Sequence, residues 1–576
     1  MSALQSAAPG SPATGASTEL RAETHAPTIS GREWRFVALV ALGLLLLTTI
    51  PYLYAQLTAP ADRHFMGMML DVPDHLQYFS WMRELTYAPL AANKLTPEPN
   101  PPVFFNLLWW GLGRAGALLG LGYAAMFQVL RWLSAPIFLA LVYRMAALIF
   151  ATPFERKVAF LIVALGSGLG WLLVVAKYTI TNGVLVTPLD LYVAEGNTFH
   201  SLLGYPHFIA AALYISVFDV MLRHGRTQTW RAAVGAGLLA LFFGWQHAYD
   251  LIIVWAVLGA WLLLCAWRDR RIEWRMAGAL VVIGVISVWP ALYSVLLTRL
   301  SPLWEEVLAQ FANAGVFTPP PWRLPMLMGI PLLLALAQAL REKPWRRDRL
   351  AAMSDATIFL HGWFWISFVL IYLPVDYQIH MLNGWQVPIG FFAAKALFTW
   401  IAPAVSARWA TPGSKRSLQP LLAALLILVI LPTNLYLFAW RFIDLRRYDM
   451  PYYLTTDEMR ALDWLETHAA GDDVVFSALD FGQYVPAQTG AHAYLAHWAQ
   501  TVDFYHKQAA VSTFYAAEET PAANQARIAT LDAQGVDWVV AGPSEHELGA
   551  FDPAALSQLT PVFSSPTVTI YAYAAQ

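Results

Sequence analysis

FVALVALGLLLLTTIPYLYAQL, residues 36–57, is a run of 22 residues without a charged side chain. That is long enough to cross the roughly 30 Å hydrocarbon layer of a bilayer as one helix. No small-residue cleavage pattern follows it, so it reads as a retained span and not as a signal peptide. The rest of the chain repeats the message. Of 576 residues, 58% are hydrophobic and 13% charged, and mean hydropathy is +0.48. Soluble chains carry about 25% charged residues. The 25 tryptophans suit a protein with many lipid–water boundaries. A formal net charge of −2 without a long basic run argues against nucleic-acid partners. The single cysteine, Cys265, permits neither an internal disulfide nor a thiolate cluster.

Hydropathy places eleven spans, near 36–57, 124–150, 157–176, 207–222, 232–247, 250–267, 275–297, 323–340, 356–373, 385–405 and 418–440. Residues 1–31, rich in Ala, Ser, Thr, Pro and Gly, read as a disordered cytoplasmic tail. Residues 32–440 form the transmembrane domain, with an outer loop at 58–123. Within that loop, Phe104–Leu121 is apolar but Gly-rich and interrupted by Arg114, and reads as an interfacial or re-entrant helix. Lys and Arg crowd alternate loops: Arg144, Arg156 and Lys157; Arg223, Arg226 and Arg231; Arg268 to Arg275; Arg341 to Arg349; Arg408, Lys415 and Arg416. By the positive-inside rule these loops and the amino terminus are cytoplasmic, and the carboxy-terminal segment is outside.

Residues 441–576 change character. A capped helical period around Thr456 to Leu465 precedes strand patterns at Val474–Phe476, Val536–Ala541 and Val568–Tyr571. The expected fold is mainly α: a polytopic helical bundle with a small α/β extracytoplasmic domain.

Ionisable groups at membrane depth point to function, and three outer-face segments concentrate them. The first runs from Asp71 through Asp74-His75-Leu76-Gln77-Tyr78 to Glu84. Tyr78, Trp81, Met82 and Leu85 share one helical face, which predicts an amphipathic helix at the outer surface. Asp71 and Asp74 at its start serve either as helix caps or as a general base. The second holds Asp190, Glu195, His200 and Pro206-His207-Phe208; its plain alternative is a helix start with a locally bonded His207. The third is dispersed over Gln246-His247-Ala248-Tyr249-Asp250 and Asp376-Tyr377-Gln378-Ile379-His380. The Gly166–Gly170 run sits inside an apolar stretch and reads as close helix packing. Lys395 within span ten reads as a protein-facing charge without an obvious carboxylate partner, and no phosphate-binding loop for ATP occurs. The histidines of the carboxy-terminal segment, His492, His497 and His506, read as ordinary domain residues.

The order of these features resembles the GT-C superfamily of membrane glycosyltransferases, such as protein O-mannosyltransferases and aminoarabinose transferases. The resemblance rests on Asp74 followed by Tyr78 and a surface helix, Pro101-Pro102, an apolar helix, and Arg131 at the head of span two. Thr198-Phe199-His200-Ser201-Leu202 followed by Pro206-His207-Phe208 is similar to a bacterial GT-C-like pattern. The family commonly has a Gln-Arg-Arg run where this chain has Gln378-Ile379-His380. Neutral His is a weaker phosphate ligand than Arg, so Arg131 or Arg299 is the substitute.

The resemblance implies an enzyme of the bacterial inner membrane. It would move a sugar from a polyprenyl-phosphate donor to a glycan, lipid or protein acceptor at the outer face, with Asp74 or Asp71 as base. Arg131, Glu195, His200, His207, His247, Tyr249, Asp250, Gln378 and His380 would bind substrate or lipid phosphate. A divalent metal held by Asp71, Glu195 and His207 is the alternative cation. A transporter would instead show paired charges in broken helices and internal repeats; a membrane scaffold with an outer binding domain would lack the polar cluster on membrane-facing loops.

Overall fold

The computed structural model describes residues 28–186, 189–225, 228–311, 317–409, 417–517 and 520–574. The first helix, α1 (Gly31–Thr58), begins five residues before the apolar run. Ser30 and Glu33 form a reciprocal capping box there, which satisfies amide groups that the first helical turn leaves free. The tail expected at 1–31 therefore gives way to ordered structure before Gly31, and residues 1–27 lie outside the described residues.

A helix coincides with each of the eleven expected spans. Seven are long and apolar enough to cross a bilayer, and two more spans are made of bent helix pairs, so the chain is a multi-pass membrane protein. The remaining two, Trp230–Gly244 and Asp355–Leu370, have 15 and 16 residues. At 1.5 Å per residue they reach only about 22–24 Å.

The bent pairs explain the glycine run. Helices α5 (Pro153–Leu165) and α6 (Gly170–Thr179) meet at 46° across Gly166–Leu169, and Gln419–Val429 meets Pro432–Leu445 at 43°. A third irregularity is Gly329, at φ 72° within Leu324–Glu342. The three breaks pack together and pair one another's freed backbone groups, as a helix interrupted in a membrane requires. Ser167 Oγ donates to the Ile430 carbonyl, Leu169 N–H to the Met326 carbonyl at 2.9 Å, and Thr433 Oγ1 to the Gly168 carbonyl at 3.1 Å. A Cβ on Gly168 would lie 2.3 Å from the Met326 carbonyl oxygen. Asp190 Oδ2 accepts the Gly170 N–H at 3.1 Å and so caps α6 in the interior.

The outer loop and the carboxy-terminal segment form one body. Strand β1 (Arg63–Phe65) pairs antiparallel with β2 (Tyr453–Thr455). Five more strands, β3 (Val474–Phe476), β4 (His492–Ala493), β5 (Trp538–Ala541), β6 (Leu559–Ser564) and β7 (Thr569–Tyr573), form a sheet in the order β4-β3-β5-β7-β6. Its first three strands are parallel. Backbone amides beyond the ends of β3 and β5 converge, at Ala478 and Gly542, on one carboxylate, Glu545. The loop's own backbone lies along β4, with Ala493 N–H donating to the Lys94 carbonyl at 3.0 Å. The proline-rich stretch is thus seated on the sheet domain, with Glu98 paired to Lys507.

Helix α2 (Val72–Tyr87) is accordingly buried and not laid free on a membrane surface. Leu76, Met82 and Leu85 are fully covered, and the helix packs against α3 (Leu107–Leu119) and the short helix Val485–Thr489. Arg114, which interrupts the apolar run of α3, donates to the carbonyls of Leu85 and Ala88 at the end of α2. Lys395 does have a carboxylate partner: Glu342 lies 2.7 Å away, and His361 holds the other oxygen of Glu342.

Candidate functional site

Asp71 stands immediately before α2 at φ 42°, in the left-handed region, and its side chain makes no capping bond. The capping alternative therefore does not account for its carboxylate. Its carbonyl faces His75 Nδ1 at 2.7 Å, while His75 Nε2 faces the Gly204 carbonyl at 2.8 Å. His75 thus ties α2 to the junction between α7 (Thr198–Gly204) and α8 (Pro206–Ala211). The Asp71 side chain reaches open space, yet protein surrounds it on most sides. That desolvation, together with the charges of Asp74 and Glu195, pushes its carboxyl well above the usual range. Asp74, one helical turn on, is in a different setting: His497 Nε2 lies 2.9 Å from its Oδ1.

Glu195 precedes α7, whose start is capped by the Asn197 side chain. Its Oε1 lies 2.7 Å from His380 Nδ1. Tyr249 stacks on the His380 ring with a centroid distance of 5.6 Å and 10° between planes. His247 Nδ1 lies 3.2 Å from Asp250 Oδ2, which also accepts the Asn383 amide at 3.0 Å. Burial alone would lower the His247 pKa, but Asp250, and behind it Glu195, more than offset this and raise it. His207 lies between these groups and α2. It is 5% exposed, neither ring nitrogen has a hydrogen-bond partner among the described residues, and its ring sits 4.8 Å from Tyr78 and 6.4 Å from His75. Burial and the charges of Asp74, Asp71 and Glu195 raise the Tyr78 hydroxyl well above its ordinary value.

Four segments distant in sequence thus meet at one site beside the sheet domain: those around Asp71–Tyr78, Glu195–His207, His247–Asp250 and His380. Other sequence candidates lie apart from it. Arg131 is 1% exposed and gives its donors to Thr48, Thr49 and Gln128 between α1 and the second span. Arg299 is exposed at the end of its helix. His200 is buried, and its pKa is driven down to about 3 by desolvation and then by the charge of Arg441. Gln378 accepts the Thr318 N–H at 3.3 Å. Among the described residues no three His, Cys, Asp or Glu side chains converge closely enough to hold a metal ion. Asp71, Glu195 and His207 are therefore not assembled as a ligand set, and no metal step is derived. His497 was not singled out by sequence reasoning; its partner lies 423 residues away.

The chain matches no protein-family model and no curated protein. Solved structures do match. The archaeal oligosaccharyltransferase AglB from Archaeoglobus fulgidus, in complex with an inhibitory peptide and a dolichol-phosphate, aligns with a TM-score of 0.52 at 13% identity. That alignment covers 89% of this chain and 70% of AglB. The arabinofuranosyltransferase AftD from Mycobacteria aligns with a TM-score of 0.56 at 16% identity, covering 96% of this chain and 40% of AftD. The chain has the fold of the GT-C membrane glycosyltransferases.

Proposed function

We propose that this chain is a membrane glycosyltransferase that moves a sugar from a polyprenyl-phosphate donor to an acceptor at the outer face of a bacterial inner membrane, with Asp74 as general base. The observation that carries the reading is the convergence of Asp71, Asp74 and Glu195 with His207, His247 and His380. The fold shared with AglB and AftD supports it. The orientation rests on the positive-inside reading of the Lys/Arg-rich loops.

The two aspartates divide the work because their surroundings differ. Burial and the charges of Asp74 and Glu195 raise the Asp71 carboxyl well above the usual range, which favours its protonated form. Asp74 accepts from His497 at one oxygen, and its side chain is 27% exposed. In the reaction, the acceptor hydroxyl oxygen bonds to the anomeric carbon as its proton passes to Asp74. The bond from that carbon to the phosphate oxygen breaks, and the electron pair leaves with the polyprenyl phosphate. His247, whose pKa Asp250 and Glu195 raise against the lowering effect of burial, meets the developing negative charge.

The test uses protein in lipid nanodiscs, panels of polyprenyl-phosphate monosaccharides and of glycan, lipid and peptide acceptors, and acceptor-dependent release of free polyprenyl phosphate as the readout. Asp74→Asn keeps the size of the side chain and is expected to slow release about 10²-fold or more. Asp71→Asn, an isostere of the protonated acid, is expected to stay within about threefold of the parent. If both variants keep the parent rate, the reading is wrong. If only Asp71→Asn loses it, the base is Asp71.

A further inference from the structure

His497 belongs to the sheet domain, yet its imidazole reaches the site. Its side chain is 1% exposed. Nδ1 accepts the Ala499 N–H at 3.0 Å, so the ring proton sits on Nε2 and points at Asp74 Oδ1, 2.9 Å away. The turn that carries the ring is held from several directions. Thr501 Oγ1 accepts the N–H groups of Ala496 and His497 at 3.1 and 3.0 Å and donates to the Leu95 carbonyl. Asn93 Nδ2 donates to the Gln500 carbonyl at 3.0 Å. Gln310, from the helix Pro302–Phe311 that follows a membrane span, donates to the carbonyls of Ala499 and Thr501 at 3.1 and 2.8 Å. Outer loop, sheet domain and bundle therefore all fix one imidazole. A side chain locked by its own supporting hydrogen bonds can hold a reacting group within the tolerance that proton transfer needs.

We propose that His497 is a positioning residue for the base: its Nε2–H binds Oδ1 of Asp74, fixes the carboxylate rotamer, and leaves Oδ2 aimed at the acceptor hydroxyl. The proposal rests on Asp74 being the base. It makes seating of the sheet domain a condition for proton transfer, and not only for acceptor access. A plain structural reading, in which His497 merely staples the domain to α2, predicts altered folded yield and no change in turnover per folded molecule.

Two substitutions separate these. The Asn amide lies where Nδ1 lies, so His497→Asn keeps an acceptor for the Ala499 N–H and removes the donor to Asp74. The longer Gln places its amide near Nε2, so His497→Gln keeps the donor. The experiment measures kcat and KM for polyprenyl phosphate release in nanodiscs, per molecule of folded protein counted by size-exclusion chromatography. His497→Asn is expected to lower kcat about tenfold or more with both KM values within about twofold, and His497→Gln to restore kcat to within about threefold. In the Asp74→Asn background, His497→Asn should add no further loss. Parent-like kcat in His497→Asn, equal losses in both variants, or lowered yield at unchanged kcat would each overturn the proposal. If Asp74→Asn itself turns over at the parent rate, the base reading falls instead. An inactive Asp74→Asn beside a fully active His497→Asn rejects the positioning role alone.

Discussion

The two ends of the helical bundle treat buried carboxylates differently. At the end remote from that site, Glu33 pairs with Arg156 at 3.1 Å, and Asp219 with Arg144 at 2.7 Å and Arg223 at 3.0 Å. At the site, Asp74, Glu195 and Asp250 pair with His497, His380 and His247. A guanidinium is charged at every physiological pH, so the first set consists of permanent staples. An imidazole offers a single directed N–H to its acid, so the second set orients its carboxylates without a permanent countercharge. One residue type, the acid, is held by a permanent cation at one end and by an imidazole at the other.

The comparison can be broken at several points. The largest stability effect is expected at the remote end. Arg156→Ala strands Glu33, which is 3% exposed, with only Ser30 and Tyr143 for company. A buried charge left without its ion partner costs about 3–5 kcal/mol, so thermal unfolding in nanodiscs should shift down sharply. Turnover per folded molecule should stay near that of the parent. A parent-like melting temperature would show that the remote pairs are not staples.

Glu195→Gln should do the reverse, leaving the melting temperature nearly unchanged and slowing transfer about tenfold. It also carries a pH signature. Glu195 helps to raise the His247 pKa, so neutralising it lowers that pKa. The imidazolium is then lost at lower pH, and the alkaline limb of the kcat/KM profile should move to lower pH. An unmoved limb would remove His247 from the charge balance of the site.

The smallest effect is expected in the sheet domain, where Glu545 has neither Arg nor His. Burial raises its pKa from 4.5 to about 7, against the opposing pull of the Ala478 and Gly542 amides. An acid whose pKa is raised on folding adds stability below its unfolded pKa and loses it as pH climbs through the folded one. Between about pH 4.5 and 7 the parent should therefore lose stability relative to Glu545→Gln, by no more than about 1.4 kcal/mol per pH unit. Parallel stability curves for the two proteins over that window would refute the assignment.

Much of this arrangement was legible in the sequence where the signal was local. The eleven apolar runs each coincide with a helix because burial in lipid demands a continuous stretch of apolar residues. The outer segments carrying Asp74, Glu195, His207, His247 and His380 stood out because polar groups are rare beside spans. Signals that depend on tertiary partners did not show. His497 looked like any domain histidine, since what distinguishes it is a carboxylate far away in the chain. Lys395 looked unpaired because Glu342 sits on another helix. Strands β4 and β6 escaped because one has two residues and the other contains Pro561 and a register shift. Asp71 looked like a cap because Asp commonly is one before a helix, and only its left-handed backbone and unbonded side chain show otherwise.

The pairing of β1 with β2 joins Arg63–Phe65, made just after the first span, to Tyr453–Thr455, made just after the last. The ribosome delivers the helix bearing Asp71 and Asp74 hundreds of residues before the strand and sheet that seat it. Throughout that interval the growing chain is exposed to membrane lipid with its acids in place but without their mount. Assembly of the site is thereby deferred until the sheet has been made, and a chain cut short before it would be inserted with its acids unseated.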